Sequence, residues 1–300
     1  MAVRVTQNML NSNMLRNLHN SMRSMDKLQQ QLSSGSKIAK PSDDPVVAAR
    51  GMFYRSSLME NDQYKRNVDE AKSWMDMTDS TMDEIGNVMK RIKELLVYSG
   101  DGAISPDDLK TMASEVSELK IHLGTLANQQ INGKYIFAGT DTNKAPYDFT
   151  ANGGKGDFVS TNSSSINLEV SQNVFVTSNI NAQNLFNFPD NANNMFKVLD
   201  NIIGELENGR DATQFLTGME QQFDKLLAER AALGASVNRV ELIADRLKTQ
   251  EVSINELMSK NEDADVAKVM TDLKTQESVH SAALGSGARI IQPTLLDFLR

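Results

Sequence analysis

A chain of 300 residues with 40% apolar side chains can hold one large domain or two ordinary ones. Its net charge of −8 argues against nucleic acid or an anionic membrane as a partner held by bulk charge. Cysteine is absent, which excludes disulfides, thiolate metal ligands and a thiol nucleophile, and no apolar run is long enough to cross a bilayer.

The first pattern is Met14, Leu18, Ser21, Met25, Leu28, Leu32, a 4-3-4-3-4 spacing that lays one stripe on a helix. The amino-terminal MAVRVTQNML lacks the apolar run of a secretory signal peptide. Gly35 lies just past the stripe, where a left-handed cap favours glycine. Asp43 and Asp44 then precede Pro45, an acid-and-proline signature of a new helix start. The segment between reads as a joint that lets two bodies move separately.

From Pro45 the pattern becomes heptad. Val68, Met75, Met82, Met89 and Leu96 recur at seven, interleaved with Ala71, Thr78, Ile85 and Ile92. The helix runs to about Ser99, a length of roughly 80 Å at 1.5 Å per residue. Ser-Gly-Asp-Gly ends it, and Ser105-Pro106-Asp107-Asp108 opens another, striped with Leu109, Met112, Val116, Leu119, Leu123 and Leu126. Gly133 and Gly154, each followed by lysine, are turn glycines; a phosphate loop needs an upstream glycine and a following Ser or Thr.

Between about 134 and 194 the composition changes. Residues 151–194 hold four charged residues and eleven asparagines, with short β-branched or aromatic runs such as KYIFAG, INLEV and NVFVTS. This predicts a small β-rich insert at the bundle's tip. A medium helix follows with Phe196, Leu199, Ile203 and Leu206, then a second long one with Met219, Leu226, Leu233, Val240, Leu247 and Ile254 at seven. Arg230 and Glu251 fall on that seam and are expected partly solvated or paired with an opposite charge; Arg239 is expected in a structural ion pair. Glu262, Asp263 and Asp265 are expected as acids at a last helix start.

The ends complement one another. Residues 1–40 carry six basic residues against one acid, while 261–300 carry six acids against four bases. The last stripe fades from Val266, Met270 and Leu273 into Glu277, His280 and the small-residue run AALGSGA. Such helices should be marginal alone and order when many copies pack. The expected fold is therefore mainly α: an elongated bundle of long heptad helices with a β-rich insert and paired terminal helices. Its expected parts are 1–43 plus 262–300, the helical core 44–133 plus 191–261, and the insert 134–190.

No constellation for chemistry emerges. His19, His122 and His280 stand apart, Asp141-x-Asn143 fails as a calcium loop because Pro146 occupies the glycine position, and no nucleophile–base set is present. No catalytic residue, cofactor or metal is expected. Trp74 reads as packing at the seam's edge.

Four stretches carry a resemblance: QLSSGSKIAKPSDDPVVAAR at 31–50, ALGASVNRVE at 232–241, NEDADVAKV at 261–269 and the closing IIQPTLLDFLR. On these the chain resembles the bacterial flagellin superfamily. INGKYIFAGT at 131–140 and LLDFLR are more similar to its members at the hook–filament junction than to flagellins. The resemblance covers about four-fifths of the chain and leaves 141–194 unmatched. It implies a non-catalytic subunit joining hook to filament, exported by the flagellar type III apparatus from the cytoplasm to the extracellular flagellum. It implies an assembly surface on Leu18, Met25, Leu28 and Leu32, with Val266, Met270, Leu273, Leu295, Leu296 and Leu299 opposite. Implied partners are the first hook-associated protein, flagellin, copies of itself in a ring, and a cytoplasmic flagellar export chaperone covering Ile290, Ile291, Leu295, Leu296 and Leu299. Neither nucleic acid nor membrane insertion is expected. The alternatives are a flagellin filament subunit and, from another class, a secreted coiled-coil adhesin or fibre.

Overall fold

Heptad spacing in a long helix forces one face to find a partner, and two such helices dominate the chain. The computed structural model describes residues 7–102, 104–190 and 193–291. In chain order its elements are α1 (Gln7–Ser34), α2 (Pro45–Ser99), α3 (Pro106–Ala127), β1 (Gln130–Ile131), β2 (Lys134–Tyr135), β3 (Tyr147–Asp148), the short turn α4 (Ala151–Gly154), β4 (Asp157–Phe158), β5 (Asn167–Ser171), β6 (Val174–Thr177), α5 (Ala182–Phe186), α6 (Met195–Glu207), a 3₁₀ turn at Thr213–Phe215, α7 (Leu216–Glu262) and α8 (Val266–Ile291). Both series of the α2 seam, from Val68 to Leu96, are buried, and so are Met219, Leu226, Leu233, Val240, Leu247 and Ile254 of α7.

The chain divides into two compact units: Met1–Glu60 with Gln250–Arg300, and Asn61–Thr249. Both divisions fall inside long helices, α2 and α7. The continuous backbone of a helix hides a change of packing that its sequence punctuation does not mark.

In the second unit, α3 is capped by Ser105, whose Oγ accepts from the Asp108 amide at 3.2 Å, with Pro106 in the first turn. The insert is not a separate body. Its strands form three independent antiparallel pairs, β1–β2, β3–β4 and β5–β6. Phe137, Tyr147, Phe158, Val170 and Val176 join the helical residues in one continuous core. Phe186 is the hub: it meets Phe137 edge-on at 5.2 Å and stacks on Phe158 at 5.2 Å and Phe196 at 5.9 Å. Two-stranded sheets are too small to stand alone, so the insert borrows the helices' core.

The asparagines have backbone work. Asn132, Asn152 and Asn173 adopt positive φ, which asparagine tolerates better than most side chains. Asn132-Gly133 closes the β1–β2 hairpin. Asn181 and Asn194 cap α5 and α6, accepting from the amides of Gln183 at 3.0 Å and Lys197 at 2.9 Å.

Charges on the seams are paired. Arg230 donates from Nε to Asp79 at 2.8 Å and from Nη1 to Asp83 at 2.6 Å, and these two carboxylates push its already high pKa further up. Arg239 is exposed and forms no ion pair among the described residues, contrary to expectation. Lys120, which is 3% exposed, donates to Asp200 on α6 at 2.5 Å and to the Lys155 carbonyl at 2.8 Å. Tyr147 lies close by, and burial, followed by the charges of Asp200, Asp157 and Asp148, pushes its hydroxyl up to about 12.

Candidate assembly interface

The first unit is built from α1, α8, the first third of α2 and the end of α7. Of the 44 buried apolar side chains among the described residues, it holds only Ala48, Ile254 and Val269. Of the 21 large apolar side chains left exposed, it holds 13. A segment that buries so little apolar surface has not found its full set of partners.

Helices α1 and α8 pack antiparallel, with Gln276 Nε2 donating to Ser21 Oγ at 3.1 Å. On α1, Met14, Leu18, Ser21, Met25, Leu28 and Leu32 are all at least half-covered while most of their neighbours are exposed, so the expected stripe is the packed face. On α8 the packed row is different. Val269, Leu273, Gln276, His280, Ala283 and Gly287 turn inward at 4-3-4-3-4, whereas Val266 and Met270 are 51% and 49% exposed. Val266 and Met270, expected on the assembly surface, thus lie outside the row packed on α1. The inner row wins because it is small: a Cβ at Gly287 would collide with Met14, so glycine permits the close approach. This row is also polar. His280 Nδ1 and Asn11 Oδ1 are buried without a hydrogen-bond partner, which keeps the pairing weak. Ile290, Ile291, Leu295, Leu296 and Leu299, assigned to assembly or to a chaperone, lie outside the residues whose side chains are described.

The joint is a clasp. Gly35 has φ +68°, as a left-handed cap requires, and the chain then bridges to the α7–α8 corner. Ser36 pairs antiparallel with Asp263, the Lys37 amide donates to the Glu262 carbonyl at 2.7 Å, and the Ala264 amide donates to the Gly35 carbonyl at 2.7 Å. Lys37 Nζ reaches the Lys260 carbonyl at 2.6 Å. Residues over 200 positions apart in sequence thus meet at the expected joint.

Within the clasp each acid has its own role. Asp44 Oδ1 caps α2 by accepting from Val46 and Val47, at 3.0 and 3.2 Å, ahead of Pro45. Asp43 instead closes the loop, accepting from the Ala39 and Lys40 amides at 3.2 and 3.0 Å. Asp265 caps α8 by accepting from Lys268 at 3.1 Å. Glu262 is no cap: its carboxylate lies over Gly51 and accepts from Arg55 Nη2 at 2.5 Å. No backbone signal in the sequence marked Gly51, Arg55 or the Ser36–Asp263 bridge, because their partners are distant in the chain.

Gly51→Ala places a Cβ where the Glu262 carboxylate sits, and such overpacking typically costs about 1–3 kcal/mol. The expected result is faster amide exchange at Lys37 and Ala264, by about an order of magnitude, with the Asn61–Thr249 unit unchanged. Unchanged protection at both amides would show that Glu262 does not hold the clasp.

Among the described residues no group of three or more His, Asp or Glu is placed to hold a metal ion, and no helix is long and apolar enough to cross a membrane.

Comparison with known proteins accords with that geometry. The chain is 24% identical over 310 residues to flagellar hook-associated protein 3 of Salmonella typhimurium, covering 94% of this chain and 95% of that one. It is 26% identical to the Escherichia coli protein of the same name, covering 92% and 94%. Among solved structures, a putative flagellar hook-associated protein from Vibrio parahaemolyticus superposes with a TM-score of 0.67 at 18% identity, over 74% of this chain and all of that one. The family models of the bacterial flagellin N-terminal and C-terminal helical regions match residues 5–142 and 216–299, and since together they span well over half of the sequence, the chain belongs to the bacterial flagellin family.

Proposed function

We propose that this protein is a non-catalytic structural subunit of the bacterial flagellum that assembles where hook meets filament. The observation that carries this reading is the division of apolar surface: a well-packed unit at Asn61–Thr249 and a terminal unit that exposes 13 large apolar side chains. A subunit of this kind is soluble before assembly and gains its remaining core from neighbours. The likeness over nearly full length to hook-associated protein 3 supports the junction in preference to the bulk filament. On this reading its partners are the first hook-associated protein, flagellin, further copies of itself and an export chaperone engaging Ile290, Ile291, Leu295, Leu296 and Leu299. Export through the flagellar type III apparatus would place it outside the cell.

Deletion of the gene tests this directly. The expected result is a complete hook that releases filament subunits into the medium without retaining them, restored by supplying the chain in trans. Normal filaments on the deletion strain would overturn the junction role.

A further inference from the structure

The edge of the α2 seam holds the chain's one tryptophan, and the packing of the unit does not fully satisfy it. Trp74 is 8% exposed, and its Nε1 is buried with no hydrogen-bond partner. A buried indole N–H normally finds an acceptor, because losing water without one is costly. The same side chain lines a cavity of about 260 Å³ between α2 and the insert. Glu70 stands one turn back on α2, Lys134 comes from β2 and Thr140 from the turn that follows it, and Ile166 and Leu168 come from the start of β5.

The lining sorts into three kinds of group. Glu70 and Lys134 carry opposite charges into one cavity, yet neither has an ion-pair partner among the described residues. Thr140 Oγ1 accepts from Asn162 Nδ2 at 2.8 Å, which leaves its own proton to donate. The Trp74 N–H, the Lys134 ammonium and the Thr140 hydroxyl are therefore donors suited to a carboxylate, while Glu70 is an acceptor suited to a cation. Ile166, Leu168 and the indole supply apolar wall. The volume lies below the roughly 300–1,000 Å³ of sites for drug-sized ligands, so the occupant is small.

We propose that this cavity binds a free α-amino acid with an apolar side chain. Such a molecule carries a carboxylate, an ammonium and a hydrocarbon group on one carbon, and so answers all three kinds of lining at once. A neutral sugar would leave both charges unanswered, and a simple anion would meet Glu70 as a like charge. Water would satisfy Nε1 but gain nothing from the apolar wall. The cavity lies wholly within the Asn61–Thr249 unit, so the inference stands apart from the assembly reading. A bound ligand would join α2 to the insert across their shared core.

Because no other tryptophan is present, Trp74 emission reports on the cavity wall directly. The isolated full-length chain is titrated with L-leucine, with L-leucinamide, which lacks the carboxylate, and with 4-methylpentanoate, which lacks the ammonium. The expected result is a saturable change with L-leucine, complete by about 10 mM. Both analogues should bind about tenfold more weakly or worse, since each loses a charge-assisted contact. Lys134→Met and Glu70→Gln should each weaken L-leucine by about tenfold at an unchanged melting temperature, both side chains being exposed. Lys134→Met should also cease to separate L-leucine from L-leucinamide, which a loss of shape alone would not do. Trp74→Phe, followed by calorimetry, removes the N–H and should weaken binding likewise. No saturable response to L-leucine, L-valine or L-methionine would overturn the inference. So would equal affinity for L-leucine and 4-methylpentanoate, or undiminished binding in the two charge variants.

Discussion

Asp200→Ala is expected to destabilise the Asn61–Thr249 unit by about 3–5 kcal/mol, because it strands the charge of Lys120 in a site only 3% exposed. For a unit of this size that corresponds to a melting temperature lower by about 10 °C. The pair ties α3 to α6, and Asn152 Nδ2 donates to the second carboxylate oxygen at 3.0 Å. The double variant Lys120→Met with Asp200→Ala removes both charges and should recover about half of the loss, since a buried pair replaced by apolar groups is often near neutral. Unfolding followed through Trp74, the sole tryptophan and itself in the core, reads both variants. A single variant within about 1 kcal/mol of the parent would show that water compensates Lys120 and that the pair is not an internal tie.

This ion pair illustrates what the sequence left unread. Lys120 stands between Val116 and Leu123 on the apolar face of α3, and that position was the available signal of a buried partner. The partner, 80 residues on, carries no local mark. Local periodicity, by contrast, was legible: α2 spans Pro45–Ser99 as its stripe and punctuation imply, and the heptads of α7 are buried where their spacing puts them. Asp44 as a cap and Gly35 as a left-handed residue were equally readable, since each acts on its own neighbours.

Two packing choices were hidden from the sequence by one cause. On α8, two rows interleave and share Leu273 and His280, and apolarity alone selects Val266 and Met270. Close approach to α1 selects the small and polar row instead, a preference that exists only once the partner helix is in place. The contacts of the joint were unreadable for the same reason, since they come from Lys260, Glu262 and Asp263. The insert's dependence on the helices was unreadable because its strand pairs have no core of their own; the apolar runs that mark them belong to the helices' core. What the sequence displays is the repeat of an element, and what it conceals is which of several competent faces a distant element will take.

The second large effect concerns the packed seam of α1. The paired variant Leu18→Asp with Leu28→Asp should abolish incorporation into flagella while leaving the melting temperature of the Asn61–Thr249 unit unchanged. Both leucines lie in the terminal unit, whose only fully buried apolar residues among those described are Ala48, Ile254 and Val269, so the main core loses nothing. The α1–α8 pair loses much, because a carboxylate would have to lose its water in a contact that already buries polar atoms of His280 on α8 and Asn11 on α1 without partners. Amide exchange along α1 and α8 should be fast in the isolated parent chain and faster in the variant, since most of these helices' apolar surface is uncovered. Assembly amplifies the defect: each copy contributes the same damaged seam to every neighbour, so a modest loss per chain recurs at every contact in the array. Incorporation at parental levels, or a main-unit melting temperature lowered by more than about 5 °C, would show that these leucines serve the wrong body.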